Sequence, residues 1–104
     1  DGLKQDWYGT VWMNPPYGKF TPDWMEKFIE HGDGIALVFA RTDTKWFQEH
    51  CVRADALLFG KGRLAFYKNG EKGGNAASGS LFVACGEKSV EALRNSNLGF
   101  FVEL

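Results

Sequence analysis

With 104 residues, 44% apolar and 24% charged, the chain has the make-up of one small globular domain and not of a disordered segment. Nine Phe, four Trp and three Tyr supply large surfaces for a core, and no apolar run approaches the roughly 18 residues that cross a bilayer. Twelve basic residues against thirteen acidic ones leave a net charge of -1, far from the positive excess of a protein that holds nucleic acid by overall charge, so any such site is local.

Thr10-Val11-Trp12-Met13 reads as a short β-branched and aromatic strand, stopped by Pro15-Pro16. Residues 14–20 then form a loop, since prolines cannot donate to a ladder and Gly18 allows a sharp exit. Thr21-Pro22 predicts a helix start, with Thr21 at the N-cap and Pro22 in the first turn. Trp24, Met25, Phe28 and Ile29 recur at helical spacing, and Gly32 is the expected stop. Ile35 to Ala40 is an unbroken apolar run, which suits a parallel strand covered on both faces. A polar loop, Arg41-Thr42-Asp43-Thr44, follows, with Thr44 capping a helix from Lys45 to about Arg53 whose inner stripe is Trp46, Phe47, His50 and Cys51.

Leu57-Leu58-Phe59 predicts the next strand, and Gly60-Lys61-Gly62 a turn. Arg63 to Tyr67 alternates, with Leu64 and Phe66 on one face. Asn69-Gly70 is a hairpin signal, but residues 71–78 are so polar and Gly-rich that a mobile surface loop is expected there. Ser80 to Cys85 is expected as a strand, Ser89 to Asn95 as a short helix and Phe100 to Glu103 as a last strand. The order is α/β, with short βα units and an antiparallel finish.

Asn14-Pro15-Pro16-Tyr17 stands just beyond the carboxyl end of the first strand, where open α/β sheets gather reactive residues. An exocyclic amine is a poor nucleophile because its lone pair is delocalised into the ring. Holding both amine hydrogens turns the nitrogen pyramidal and frees that lone pair. The Asn14 side-chain oxygen can accept one hydrogen and the Pro15 carbonyl the other, with the prolines stiffening the carbonyl's direction. Tyr17 offers a flat face for a base taken out of the duplex. The bland alternative is a rigid turn, with Asn14 ending a strand and Tyr17 covering the core edge. Asn14 buried and turned into the core would end the reading of this segment as an amine-holding motif.

At these residues the chain resembles the phage-type DNA N-6-adenine methyltransferases, often called Dam-like. The resemblance runs from Asp1-Gly2-Leu3 and Asp6-Trp7 through Val11 to Gly18, then Trp24 with Lys27. It resumes over Ala40 to Phe47, at Gly62-Arg63-Leu64 with Phe66, and at Ser80 to Val83. It implies a Rossmann-like fold with a mostly parallel sheet and an antiparallel end, S-adenosylmethionine as methyl donor and adenine in double-stranded DNA as acceptor. It also implies a cytoplasmic protein encoded by phage or prophage. By match, Asn14, Pro15, Pro16 and Tyr17 form the target-amine motif, with Asn14 also at the edge of the donor pocket. Arg41 and Asp43 would shape the target pocket or approach DNA, or else form a salt-bridged loop that caps the next helix.

Such enzymes bind the donor with a Gly- or Asp-containing loop after an earlier strand, and no FxGxG-like segment is present here. Gly60-Lys61-Gly62 falls too late and precedes a strand. Residues 1–104 are therefore expected to be a single partial methyltransferase domain, the target-base half, inactive alone; the first residue is Asp, not Met. Lys61, Arg63, Lys68 and Lys72 are candidates for phosphate contacts, or an ordinary solvated surface. Cys51 and Cys85, without ligand spacing, are expected as buried thiols. His31 and His50 match no metal spacing, so no metal is expected. No membrane association is expected either, and a homodimer through exposed strand edges stays open. Methylation of protein glutamine or RNA, and a non-catalytic DNA-binding remnant, are the competing functions.

Overall fold

The computed structural model describes residues 2–15, 18–62, 65–68, 71–75 and 79–104, with the backbone alone for 65–68 and 71–75. A five-stranded sheet has the order β1-β2-β6-β3-β7, built from Val11–Met13, Gly34–Phe39, Ser80–Cys85, Ala56–Gly60 and Gly99–Glu103. Helices α1 (Thr21–His31) and α2 (Lys45–Glu49), with a 3₁₀ turn at Cys51–Arg53, contribute to the larger core cluster; α3 (Glu87–Arg94) contributes to a second one.

The sheet is not mostly parallel. Only β1 and β2 pair in parallel, whereas the β2–β6, β3–β6 and β3–β7 ladders are antiparallel. β1, β2 and β3 do run the same way. β6, however, returns from a hairpin without a crossover helix and inserts between β2 and β3, which makes both of its ladders antiparallel. That hairpin is a second correction. Glu71–Asn75 forms β5 and pairs with β4 (Ala65–Lys68), with an irregularity between Phe66 and Tyr67. Ladder bonds need only backbone groups, so a polar, Gly-rich segment can pair once its partner is adjacent. The expected face shared by Leu64 and Phe66, the Asn69-Gly70 turn and residues 76–78 lie outside the described residues.

Met25 and Phe28 of α1 are fully buried, and they share one cluster with Met13, Ala36, Val38, Trp46, Phe47, Cys51, Leu81 and Val83. Helix α1 ends at Gly32 with φ 74°, where the Gly32 N–H donates to the Phe28 carbonyl. The expected second helix is split, stopping at Glu49 and resuming as the 3₁₀ turn. Its stripe holds: Trp46, Phe47 and Cys51 are buried, with His50 at the margin.

Residues ahead of β1 are strapped onto α1. The Lys27 ammonium donates to the carbonyls of Gly2 (2.9 Å), Leu3 (3.0 Å) and Gln5, and lies 4.9 Å from the Trp7 ring centroid. Trp7 stacks on Trp24, and its Nε1 donates to the Gly2 carbonyl. His31 Nε2 donates to the Gly9 carbonyl at 2.6 Å. Among the described residues, no helix is long and apolar enough to cross a membrane.

Candidate active site

β1 delivers the motif. The Val11 N–H donates to the Asp33 carbonyl at 3.0 Å, and Thr10 Oγ1 donates to the Asp33 carboxylate at 3.1 Å. Val11 faces Gly34 across the parallel ladder, so the Asp33-Gly34 corner fixes where β1 lies. Burial then alternates along the chain: Trp12 exposed, Met13 buried, Asn14 exposed, Pro15 buried. Met13 and Pro15 act as two anchors, and Asn14 between them is presented to solvent. Among the described residues, no hydrogen bond occupies the Asn14 amide or the Pro15 carbonyl. Pro16 and Tyr17 lie outside the described residues.

The exit of this loop is clasped by the residue expected as the α1 N-cap. Phe20, not Thr21, holds the N-cap position, and it makes no side-chain cap bond. Thr21 is inside the helix and only 2% exposed; its Oγ1 accepts from the Gly18 N–H at 3.0 Å, and its own N–H donates to the Gly18 carbonyl at 3.1 Å. Thr21 is not the cap because the helix already begins at it, and its hydroxyl turns to the loop.

At the carboxyl end of β2, Thr44 caps α2 as expected, accepting from the Phe47 N–H at 3.3 Å while donating to the Arg41 carbonyl at 2.7 Å. Gln48 Nε2 donates to the Thr42 carbonyl. The loop backbone is thus held, yet Arg41 and Asp43 are both exposed and form no ion pair with each other. The Arg41 guanidinium instead stacks 5.3 Å from the Phe39 ring centroid. Lys61 is exposed beyond β3, and Arg63 is outside the described residues. Because β1, β2 and β3 are co-directional, Asn14, Arg41, Asp43 and Lys61 all stand at the same edge of the sheet. A family model for DNA N-6-adenine-methyltransferase (Dam) matches residues 1–90.

The chain belongs to the Dam family. Comparison with curated proteins and with solved structures returned no match. Family membership makes this a DNA adenine methyltransferase sequence, with DNA as the substrate class. At the edge described above, the Asn14 amide and the Pro15 main-chain carbonyl occur next to each other. Lys19, Phe20 and Lys45 are exposed at that edge too, and the sequence reading passed over them. Their signal was position alone, directly beside two motifs.

A concavity of about 350 Å³ opens at the opposite edge between Asp55, Glu87, Glu91, Arg94 and Glu103. Arg94 there is ion-paired with Glu91 and Glu103, at 2.8 and 2.6 Å. Cys51 and Cys85 are free and buried, and burial pushes their thiols up to about 12 and about 11. Among the described residues, no three His, Cys, Asp or Glu side chains gather as metal ligands. Among the described residues, no Gly-x-Gly turn leads from a strand into a helix either, since Gly60-Lys61-Gly62 runs toward β4. These residues do not fit a donor cradle.

Proposed function

We propose that this chain carries the acceptor side of methyl transfer to the N6 amine of adenine in duplex DNA, with S-adenosylmethionine supplying the electrophilic methyl group. The observation that carries the reading is Asn14, solvent-exposed between two buried anchors, with its amide uncommitted among the described residues. The Asn14 side-chain oxygen accepts one N6 hydrogen and the Pro15 carbonyl accepts the other. Buried Met13 and Pro15 hold the backbone on either side of Asn14 before the base arrives, which limits reorganisation as charge develops on nitrogen. Tyr17 supplies the stacking face for the extruded base. Arg41 and Asp43 stand at the same edge as Asn14, with their loop already held by Thr44 and Gln48. The 104 residues alone bind donor weakly and are inactive in this reading; tight binding of S-adenosylmethionine to them in calorimetry would overturn that part.

The test is Asn14→Ala in the full-length protein. Transfer of labelled methyl to an adenine-containing duplex should fall by at least about 100-fold, the scale of losing one preorganised hydrogen-bond partner. Duplex affinity should hardly change. Undiminished transfer would remove Asn14 from the chemistry. Preferential labelling of RNA or of protein glutamine would keep the mechanism and change the acceptor.

A further inference from the structure

Charge is segregated along the strands. At the edge where β1, β2 and β3 end stand Lys19, Arg41, Lys45 and Lys61, all exposed and none ion-paired among the described residues. The carboxylates accompanying them are Asp43 and, in the first turn of α1, Asp23. The opposite edge carries Asp33, Asp55, Glu87 and Glu103: Asp33 and Asp55 precede β2 and β3, and Glu103 faces Ala56 in the ladder. Of the other described cations, Arg53 pairs with Glu26, Arg94 with Glu91 and Glu103, and Lys27 with three carbonyls, while Lys88 stands exposed among the carboxylates of the acidic edge. The net charge of -1 thus conceals a basic edge and an acidic one.

Phe20 breaks two local rules at that basic edge. It occupies the α1 N-cap, where Ser, Thr, Asp or Asn is favoured, and its ring is 54% exposed beneath the Lys19 ammonium, 5.1 Å from the ring centroid. Phe20 satisfies no first-turn amide with its side chain, and an exposed ring buries little apolar surface. A flat apolar ring flanked by a cation matches a nucleobase flanked by its phosphate.

We propose that Lys19 and Lys45 contact the DNA backbone while Phe20 packs against the bases next to the target adenine. The proposal rests on the same edge being the acceptor side, but it concerns binding and not transfer. Duplex lies across the ends of β1 and β2, and the acidic edge is held away from it, which orients approach.

The experiment is fluorescence anisotropy of a labelled adenine-containing duplex with the full-length protein, across a salt series. In the Lys19→Met/Lys45→Met double variant the slope of log affinity against log salt should become shallower by about 1.8, the value for two lost phosphate contacts. Phe20→Ala should weaken binding about tenfold, as expected for one lost base–aromatic stack, with the slope unchanged. Lys88→Met, in the first turn of α3 at the acidic edge, should match the parent. Each variant changes an exposed side chain, and an unchanged melting temperature checks the fold. Absence of duplex binding by the parent chain, an unaltered slope in the double variant, or an equal effect of Lys88→Met would each overturn the proposal. So would an RNA duplex bound as tightly and with the same slope. Asn14→Ala separates the two readings, because its loss of transfer with retained binding leaves this face standing.

Discussion

Thr21 does for the loop what a capping residue ordinarily does for a helix. It grips Gly18 from both sides, Oγ1 accepting and the amide donating, directly after the Asn-Pro-Pro-Tyr segment. Thr21→Val keeps the shape and removes the acceptor. We expect a stability loss of only about 1 kcal/mol, because the freed Gly18 amide can turn to water. Methyl transfer by the full-length protein should fall about tenfold or more, since small misplacements of a reacting group are costly. Thr21→Ser should restore the rate. Equal rates in all three would mean that the clasp does not position the site. The two thiols invite a different measurement. Their ordinary value near 9 is raised to about 12 at Cys51 and about 11 at Cys85, mainly because burial disfavours the thiolate. A folded-state value above the unfolded one stabilises fully below pH 9, and that contribution is lost as pH rises toward 11 and 12. Above pH 9 each thiol should therefore reduce stability by about 1.4 kcal/mol per pH unit until its folded value is reached. Urea midpoints for Cys51→Ala should fall less steeply between pH 9 and 11 than those of the parent; parallel curves would refute the assignment.

At the level of elements, β1 is the weakest member of the sheet and the one that carries the motif. It has three residues and one neighbour, β2. Its docking depends on Gly34, whose φ is 153° and where an added Cβ would lie 2.0 Å from the Val11 carbonyl oxygen. Gly34→Ala must push β1 off that corner. The expected cost exceeds about 1 kcal/mol, and transfer should be lost even below the melting temperature because Asn14 moves with the strand. Near-parent activity would show that β1 is held from elsewhere. Much of this arrangement was legible in the chain because its causes are local. The strand before Pro15, the α1 stripe, the Gly32 stop and the Thr44 cap each follow from residues within a turn of one another. The direction of β6 was not, since Ser80 to Cys85 reads alike in either orientation, and the hairpin return that decides it depends on contacts made at a distance. β5 was missed because its composition resists strand formation while its partner is already in place. Thr21 is not the cap because the helix starts one residue earlier than its Thr-Pro signal implies, which leaves Phe20 in the cap position.

The two faces of the whole molecule are unequal, and the site depends on one of them. The cluster that includes α1 and α2 residues contains Met13, Met25, Phe28 and Trp46 together with the inner residues of β2 and β6, whereas the α3 cluster rests on Ala56, Leu58, Ala84, Val90 and Leu93. Met13 is the link, because it belongs to the larger cluster and directly precedes Asn14. Truncating the larger cluster should therefore disturb stability and site together, and truncating the smaller one stability alone. Phe28→Ala, at a fully buried position, should cost about 3–5 kcal/mol, and Leu93→Ala, 3% exposed, about 2–4 kcal/mol. A small domain commonly has about 5–15 kcal/mol in total, so both variants should melt early yet remain folded in the cold. Assayed in the full-length protein well below each melting temperature, Leu93→Ala should transfer methyl groups at nearly the parent rate. Phe28→Ala should be slower even at matched folded fractions, because Phe28 belongs to the same core cluster as Met13, which directly precedes Asn14. If Leu93→Ala were the slower of the two, the coupling would run through α3, and the assignment of the larger cluster as the site's support would be wrong.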